Sequence, residues 1–432
     1  MFISDCLSVN ELDHLTIGGV DTVALAGVYG TPLYVMDEEQ IRRNCRSFKE
    51  SVERHYRHGG MVAYASKAFC CKEMCRIAAQ EGMWLDVVSG GELYTALSAG
   101  FPPGRVIFHG NNKSAGELAE ALDKGVGRIV ADNIFEMEIL SGLAKAAGKT
   151  AKIQMRIKPG VEPQTHSYIQ TGQTDSKFGF ALETGEAIDG IRRAMELPNL
   201  QLTGIHCHIG SQIFDVSPFQ AAARVMAGLI AKAHRELGCE IAELNLGGGF
   251  GIRYLPDHDP ATHGDYIAEI ARVAEETCAA GGISAPTLII EPGRAIIGDA
   301  GITLYTIGAI KEIPGIRTYV TVDGGMTDNP RYALYKSKYE MLAAARVSAP
   351  KAGSYTIAGR CCESGDLLGE DIALPRPQIG EVLAVLTTGA YNYSMASNYN
   401  RLPKPAIVMV KDGEARVAVR RETYEDIARN DI

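Results

Sequence analysis

Short apolar runs recur along the first two thirds of the chain: MVAYASK (61–67), WLDVVS (84–89), VIFHG (106–110), RIVADN (128–133), KIQMRIK (152–158), LTGIHCHIG (202–210), ELNLGGG (243–249) and LIIEPG (288–293). Between them lie stretches with helical spacing. In 217–238, Val225, Leu229, Ala233 and Leu237 return every four residues on one face. GELYTALSAG (91–100) ends on glycine, as helices commonly do. Eight strands, each followed by a helix, predict a parallel (β/α)8 TIM barrel. The competing doubly wound sheet suits fewer strands and carries GxGxxG after its first strand, a signature missing here.

Beyond about residue 294 the texture changes. ITLYTIGAIKEI, RTYVTVDGG, SYTIAGR and EVLAVLTT read as strands without long helices between them. VMVKDGEARVAV reads as a hairpin turning at Asp412-Gly413, residues that tolerate positive φ. The expected organisation is an α/β barrel over 33–294 and a C-terminal all-β domain over 295–432. Residues 1–32 lack barrel periodicity and are expected to pack with the β-domain.

At 432 residues, 46% apolar and 22% charged, the chain has ordinary globular composition and room for two domains. A net charge of -9 argues against nucleic acid or an anionic membrane as partner. No apolar run is long enough to cross a bilayer, and MFISDCLSVNELDHL carries acidic residues where a secretion signal is expected to have basic ones followed by an apolar stretch. A cytoplasmic location is therefore expected. The ten cysteines include the adjacent pairs Cys70-Cys71 and Cys361-Cys362 but no CxxC spacing. That argues for reduced thiols rather than a disulfide framework or structural zinc.

In a (β/α)8 barrel the reactive groups lie at the C-terminal ends of the strands. Those ends carry Lys67, Ser89, His109, Asp132, Lys158, His208, the run Gly247-Gly248-Gly249, and Glu291. Lys67 alone reads as a solvated cap, but a lysine in a partly desolvated site can form a Schiff base. The glycine run alone reads as a tight loop, but it also lets backbone N–H groups approach a phosphate. With Glu291 as partner for a ring nitrogen, the set describes a site for pyridoxal 5'-phosphate (PLP). His206 and His208 form an HxH pair, yet no third or fourth ligand stands out, and no metal is expected.

YASKAF, DVVSGGE, VIFHGNNKS, DSKFGF, GIHCHIGSQI, LNLGGGFG, EPGR, CCESGD and GAYNYSMASNYN resemble, in order, the signatures of diaminopimelate decarboxylases. These are PLP enzymes of the alanine-racemase-like, fold-type III class, built as a barrel plus a C-terminal β-domain. The resemblance implies that Lys67 binds the cofactor aldehyde, His208 stacks on its ring, and Glu291 faces the pyridine nitrogen. It places Ser211, Gly248, Pro292, Gly293, Arg294 and Tyr391 around the cofactor and its phosphate. Cys362 would return a proton to the substrate carbon, while Cys361 packs.

For the substrate, meso-2,6-diaminopimelate, the resemblance implies that Arg294, Arg331 and Tyr335, with Tyr391, read the distal carboxylate, and Glu363 the distal ammonium. Arginine suits that task because its fork matches a carboxylate. The implied reaction gives L-lysine and CO2, the last step of lysine biosynthesis, in a homodimer whose subunits share active sites. Three departures stand out. Ser66 and Phe69 replace a leucine and an asparagine of the usual YALKAN, GRCCESGD replaces GPVCESGD, and MTDNPRY replaces MNDLIRP. The alternatives are a lysine or ornithine decarboxylase with another pocket, a racemase, disfavoured by Glu291, and a non-catalytic PLP-binding homologue.

Overall fold

The computed structural model describes residues 2–161 and 177–432. The chain divides into two compact units. One comprises Cys45–Gly251 and Asp259–Gly293. The other comprises the residues up to Asn44, Ile252–His258 and Arg294–Ile432.

The first unit is the barrel. Its strands are Gly60–Ala65, Trp84–Val87, Val106–Phe108, Arg128–Ala131, Ala151–Lys158, Leu200–His206, Glu243–Asn245 and Thr287–Ile290. All neighbours run parallel, the fourth strand pairs with the fifth, and the eighth returns to the first, so the sheet closes. Ala63, Ile107, Val130 and Ile289 form one buried cluster within it. Local chemistry starts the outer helices. Ser89 caps Gly90–Ser98, Asn133 caps Ile134–Ala146, and Ser114 forms a capping box with Glu117. Each cap satisfies N–H groups that the first helical turn leaves without partners. Ser89, one of the polar strand ends, is thus engaged in capping. Of the motif DSKFGF, Asp175 and Ser176 lie outside the described residues.

The second unit is built on a sheet ordered Leu367–Leu374, Gly353–Ala358, Arg317–Val322, Gly301–Ile313, Leu33–Asp37, Ala406–Lys411 and Glu414–Val419. The expected hairpin is present, with Asp412 at φ 52° and Gly413 at φ 78°. Leu33–Asp37 lies in this sheet, antiparallel to Gly301–Ile313 and parallel to Ala406–Lys411, and not in the barrel that the sequence predicts from residue 33. All five of its residues are buried, a pattern that names no particular partner sheet. Cys6, Leu7, Leu15 and Ile17 share a core with Leu33, Ile302, Leu304 and Val408. No helix among the described residues is long and apolar enough to cross a membrane.

Candidate active site

The barrel's polar centre is assembled from several strand ends. Lys67 follows the first strand in the short turn Ser66–Ala68, and its Nζ lies 3.9 Å from Asp86 Oδ2. Asp86 is an acid inside the apolar run WLDVVS. Burial raises its pKa, opposed by the charges of His109 and Lys67. Ser66 and Phe69, the departures beside the lysine, are both fully buried, and the Phe69 carbonyl accepts the Tyr64 hydroxyl at 2.8 Å.

Glu291 follows the eighth strand and is also buried. Its Oε1 accepts from His109 Nε2 at 2.8 Å and from Asn245 Nδ2 at 2.7 Å. His206 Nε2 lies 3.3 Å from Oε2, within ion-pair distance. Burial works against charge on Glu291, yet His109 and His206 outweigh it and hold its pKa well below the ordinary value. With Glu291 ionised, His109 Nε2 is the donor. Burial brings the His206 pKa down to about 3, opposed by the Glu291 charge beside it.

His109, His206 and Glu291 bring possible metal-ligand atoms within 4.8 Å of one another. Oε1 already accepts two N–H donors, an arrangement suited to holding a carboxylate in place. The HxH pair separates in role. The strand ends at His206, so strand alternation no longer governs His208, whose Nδ1 accepts the Gly248 N–H at 3.3 Å. Burial first, then the charges of Lys67 and Arg156, keep His208 neutral.

The glycine loop is required by space. A side chain at Gly248 would place Cβ 2.3 Å from the Glu291 carbonyl oxygen, and Gly247 and Gly249 have φ of +65° and +113°. At Gly293 the same atom would meet Ala65 Cβ at 3.0 Å. Arg156, which the sequence reading did not single out, lies in the fifth strand with its guanidinium 4.1 Å from the Phe178 ring centroid. Burial lowers its pKa, while Asp132, Glu291 and Asp86 oppose that shift. Lysine, ionised carboxylate and glycine cradle all sit in this unit with Ser211 and Pro292, and the buried His206 Nδ1 has no hydrogen-bond partner among the described residues. These residues fit PLP.

The second unit carries a different cluster. Arg294 and Arg331 both lie over the Tyr391 ring, their guanidinium carbons 4.8 and 5.5 Å from its centroid. Arg331 also lies 5.1 Å from the Tyr335 centroid, and Arg294 donates to the Tyr254 hydroxyl. Both arginines are buried, and Arg331 Nε makes no hydrogen bond. Tyr391 holds φ +62°, a costly conformation for a bulky residue. The structure therefore brings Arg294, Arg331, Tyr335 and Tyr391 together and adds Tyr254, which sequence reasoning missed.

Cys362 and Glu363 lie on a separate exposed turn. Asn400 Oδ1 accepts the Cys362 N–H at 2.7 Å. Asp366 accepts the Cys361 N–H at 2.7 Å and the Met326 N–H at 2.6 Å, joining this turn to the loop before Arg331. Cys361 is buried, and burial followed by Asp366 pushes its thiol up to about 11.

Residues 38–298 match the family profile described as the pyridoxal-binding domain of pyridoxal-dependent decarboxylases. The chain is 50% identical to diaminopimelate decarboxylase of Bacillus subtilis (strain 168), covering 100% of this chain and 98% of that protein. Diaminopimelate decarboxylase from M. jannaschii, solved with L-lysine, superposes with a TM-score of 0.94 at 36% identity, over 100% of this chain and 99% of the other. The Helicobacter pylori diaminopimelate decarboxylase, also solved with L-lysine, gives 0.86 at 30% identity, over 95% and 98%.

Proposed function

The chain belongs to the diaminopimelate decarboxylases, a family of pyridoxal-dependent enzymes, and on that premise we propose how its own residues divide the work. The reaction is decarboxylation of diaminopimelate to lysine and CO2, with PLP as cofactor. The substrate we assign is the meso isomer and the product L-lysine. The cofactor supplies an electron-withdrawing ring that accepts the bonding pair left when the carboxylate departs.

Lys67 binds the cofactor aldehyde through its amine. Glu291, ionised and held by His109 and Asn245, keeps a proton on the ring nitrogen, and this buried charged carboxylate is the observation that carries the reading. His208 packs on the ring. Ser211, Gly248, Pro292, Gly293, the Arg294 backbone and Tyr391 hold the cofactor's phosphate end.

Arg294 and Arg331 bind the far carboxylate with Tyr335 and Tyr391. Ring faces hold the two guanidiniums, and the Arg331 Nε donor is unspent, which suits an anionic ligand. Glu363 takes the far ammonium, and Cys362 delivers the proton that replaces CO2. Binding at the far end then becomes orientation at the reacting carbon. Cys362 and Glu363 serve the barrel of a second copy in a homodimer. Mixing inactive Lys67→Ala and Cys362→Ala proteins restores part of the activity if sites are shared, and none if they are not. The cytoplasm, where amino acids are made, is the proposed location.

The deciding experiment incubates the protein and PLP separately with meso-diaminopimelate, L-lysine and L-ornithine. L-lysine and CO2 from the first alone support the assignment. Cadaverine or putrescine from the others would keep the mechanism and overturn the substrate.

A further inference from the structure

The carboxylate proposed for the ring nitrogen and the glycine loop proposed for the phosphate share one side chain. Asn245 closes the seventh barrel strand and is completely buried. Its Nδ2 donates to Glu291 Oε1 at 2.7 Å and to Gln154 Oε1 at 3.0 Å, while its Oδ1 accepts the Gly247 N–H at 3.0 Å. Gln154, equally buried, donates from Nε2 to Glu243 Oε2 at 2.8 Å. Glu243 in turn accepts the Thr203 hydroxyl at 2.9 Å and the Arg128 guanidinium, with Nε at 2.9 and 3.0 Å from its two oxygens. A line of hydrogen bonds thus crosses the barrel from Arg128 to His109.

The direction of that line is fixed from its Arg128 end. Arg128 keeps Glu243 charged, so the Gln154 amide must turn its NH2 toward Glu243 and its oxygen toward Asn245. Asn245 must then turn its NH2 toward Gln154 and Glu291. Flipped, its oxygen would face two acceptors and its NH2 would face the Gly247 N–H, making all three contacts repulsive. We propose, resting on the cofactor reading above, that Asn245 is a positioning residue that sets the orientation and charge of Glu291 and the shape of the phosphate loop together, with Gln154 fixing its direction. The two ends of the cofactor are thereby held in register by one amide. A buried asparagine serving packing alone would need neither the donor to Glu291 nor the acceptor for Gly247.

Asn245→Asp keeps the shape and the acceptor for Gly247 but loses both donors, and it sets a second carboxyl against Glu291. The other titratable groups around Glu291 are His109 and His206, with Asp86, Arg156, His208 and Cys207 farther away. Gln154→Met replaces a buried amide by an apolar side chain of similar length, so it keeps the core filled and serves as the better-folded companion. The readout on holoenzyme is the pH titration of the visible band of bound PLP, together with PLP affinity, kcat and KM. We expect the band midpoint of Asn245→Asp to move by about one pH unit or more, and PLP affinity to fall about tenfold. kcat should fall at least about tenfold while KM changes by less than about threefold. Gln154→Met should shift the midpoint in the same direction by a smaller amount. Unshifted midpoints in both variants, even with lowered melting temperatures, overturn the role of Asn245. A wild-type protein with no visible band on adding PLP overturns the cofactor reading itself.

Discussion

Two buried carboxyls, one in each unit, reach opposite states. Glu291 in the barrel is held well below the ordinary carboxylate pKa, whereas Asp328 in the β-rich unit is pushed up to about 7. Burial raises both. Glu291 is set against two histidines and takes N–H donors from His109 and Asn245. Among the described residues the hydrogen-bond donors to Asp328 are neutral, the Tyr305 and Thr327 hydroxyls and the Gly325 N–H at 3.0 Å, and the Asp366 charge opposes them. Neighbouring charge, rather than depth, decides which carboxyl ionises. The barrel thus keeps a fixed negative charge at its centre. In the β-rich unit Asp328 is instead pushed toward its neutral form, while the buried Arg294 and Arg331 lie over the Tyr391 ring.

The comparison can be broken at each unit. The largest effect is expected from Lys67→Ala, which removes the amine but leaves the Glu291 network standing. Decarboxylation should fall by at least about 10³-fold with the melting temperature little changed. Retained turnover would remove Lys67 from the chemistry. Next is Arg331→Lys, which keeps the charge but loses the planar fork and the ring stacking. A lost charged hydrogen bond is worth about 1.5–3 kcal/mol, so kcat/KM for meso-diaminopimelate should fall about 10- to 150-fold. An unchanged value would show that only charge matters in the arginine cage.

The smallest effect sharpens the contrast. Below about pH 4 Asp328 is protonated in folded and unfolded chains alike. Between about pH 4 and 7 the unfolded chain has released this proton and the folded one retains it, so stability is lost as pH rises through that window. Asn mimics the neutral form. Asp328→Asn should therefore melt above wild type at pH 8, with the advantage shrinking to nothing near pH 4. A difference independent of pH would mean that Asp328 is charged in the fold.

The barrel was readable because each of its strands and helices announces itself within a few residues, through apolar runs, caps and glycines. The Asp412-Gly413 hairpin was readable for the same reason. Leu33–Asp37 was misplaced because nothing in LYVMD says that its partners lie at Gly301–Ile313 and Ala406–Lys411. Lys67, His109 and Glu291 were visible as polar ends of apolar strands. Asp86, Gln154 and Asn245 were passed over, although each is a polar residue inside an apolar run, a signal available in WLDVV, KIQMRI and ELNL. Their partners lie on other strands, so only barrel closure reveals what they do. Tyr254 was beyond reach for the same reason, since its segment Ile252–His258 belongs to the β-rich unit while the chain on both sides belongs to the barrel.

That interleaving has a consequence for how the protein is made. Leu33–Asp37 leaves the ribosome early, but Gly301–Ile313 follows about 260 residues later and Ala406–Lys411 later still. At about 5–20 residues per second, this buried strand waits roughly 10–50 s for its first neighbour in the sheet. Every barrel strand is synthesised within that interval, so the barrel can close while the strand is still unpaired. Slowed translation between residues 37 and 301 would lengthen the time Leu33–Asp37 spends without its sheet partners.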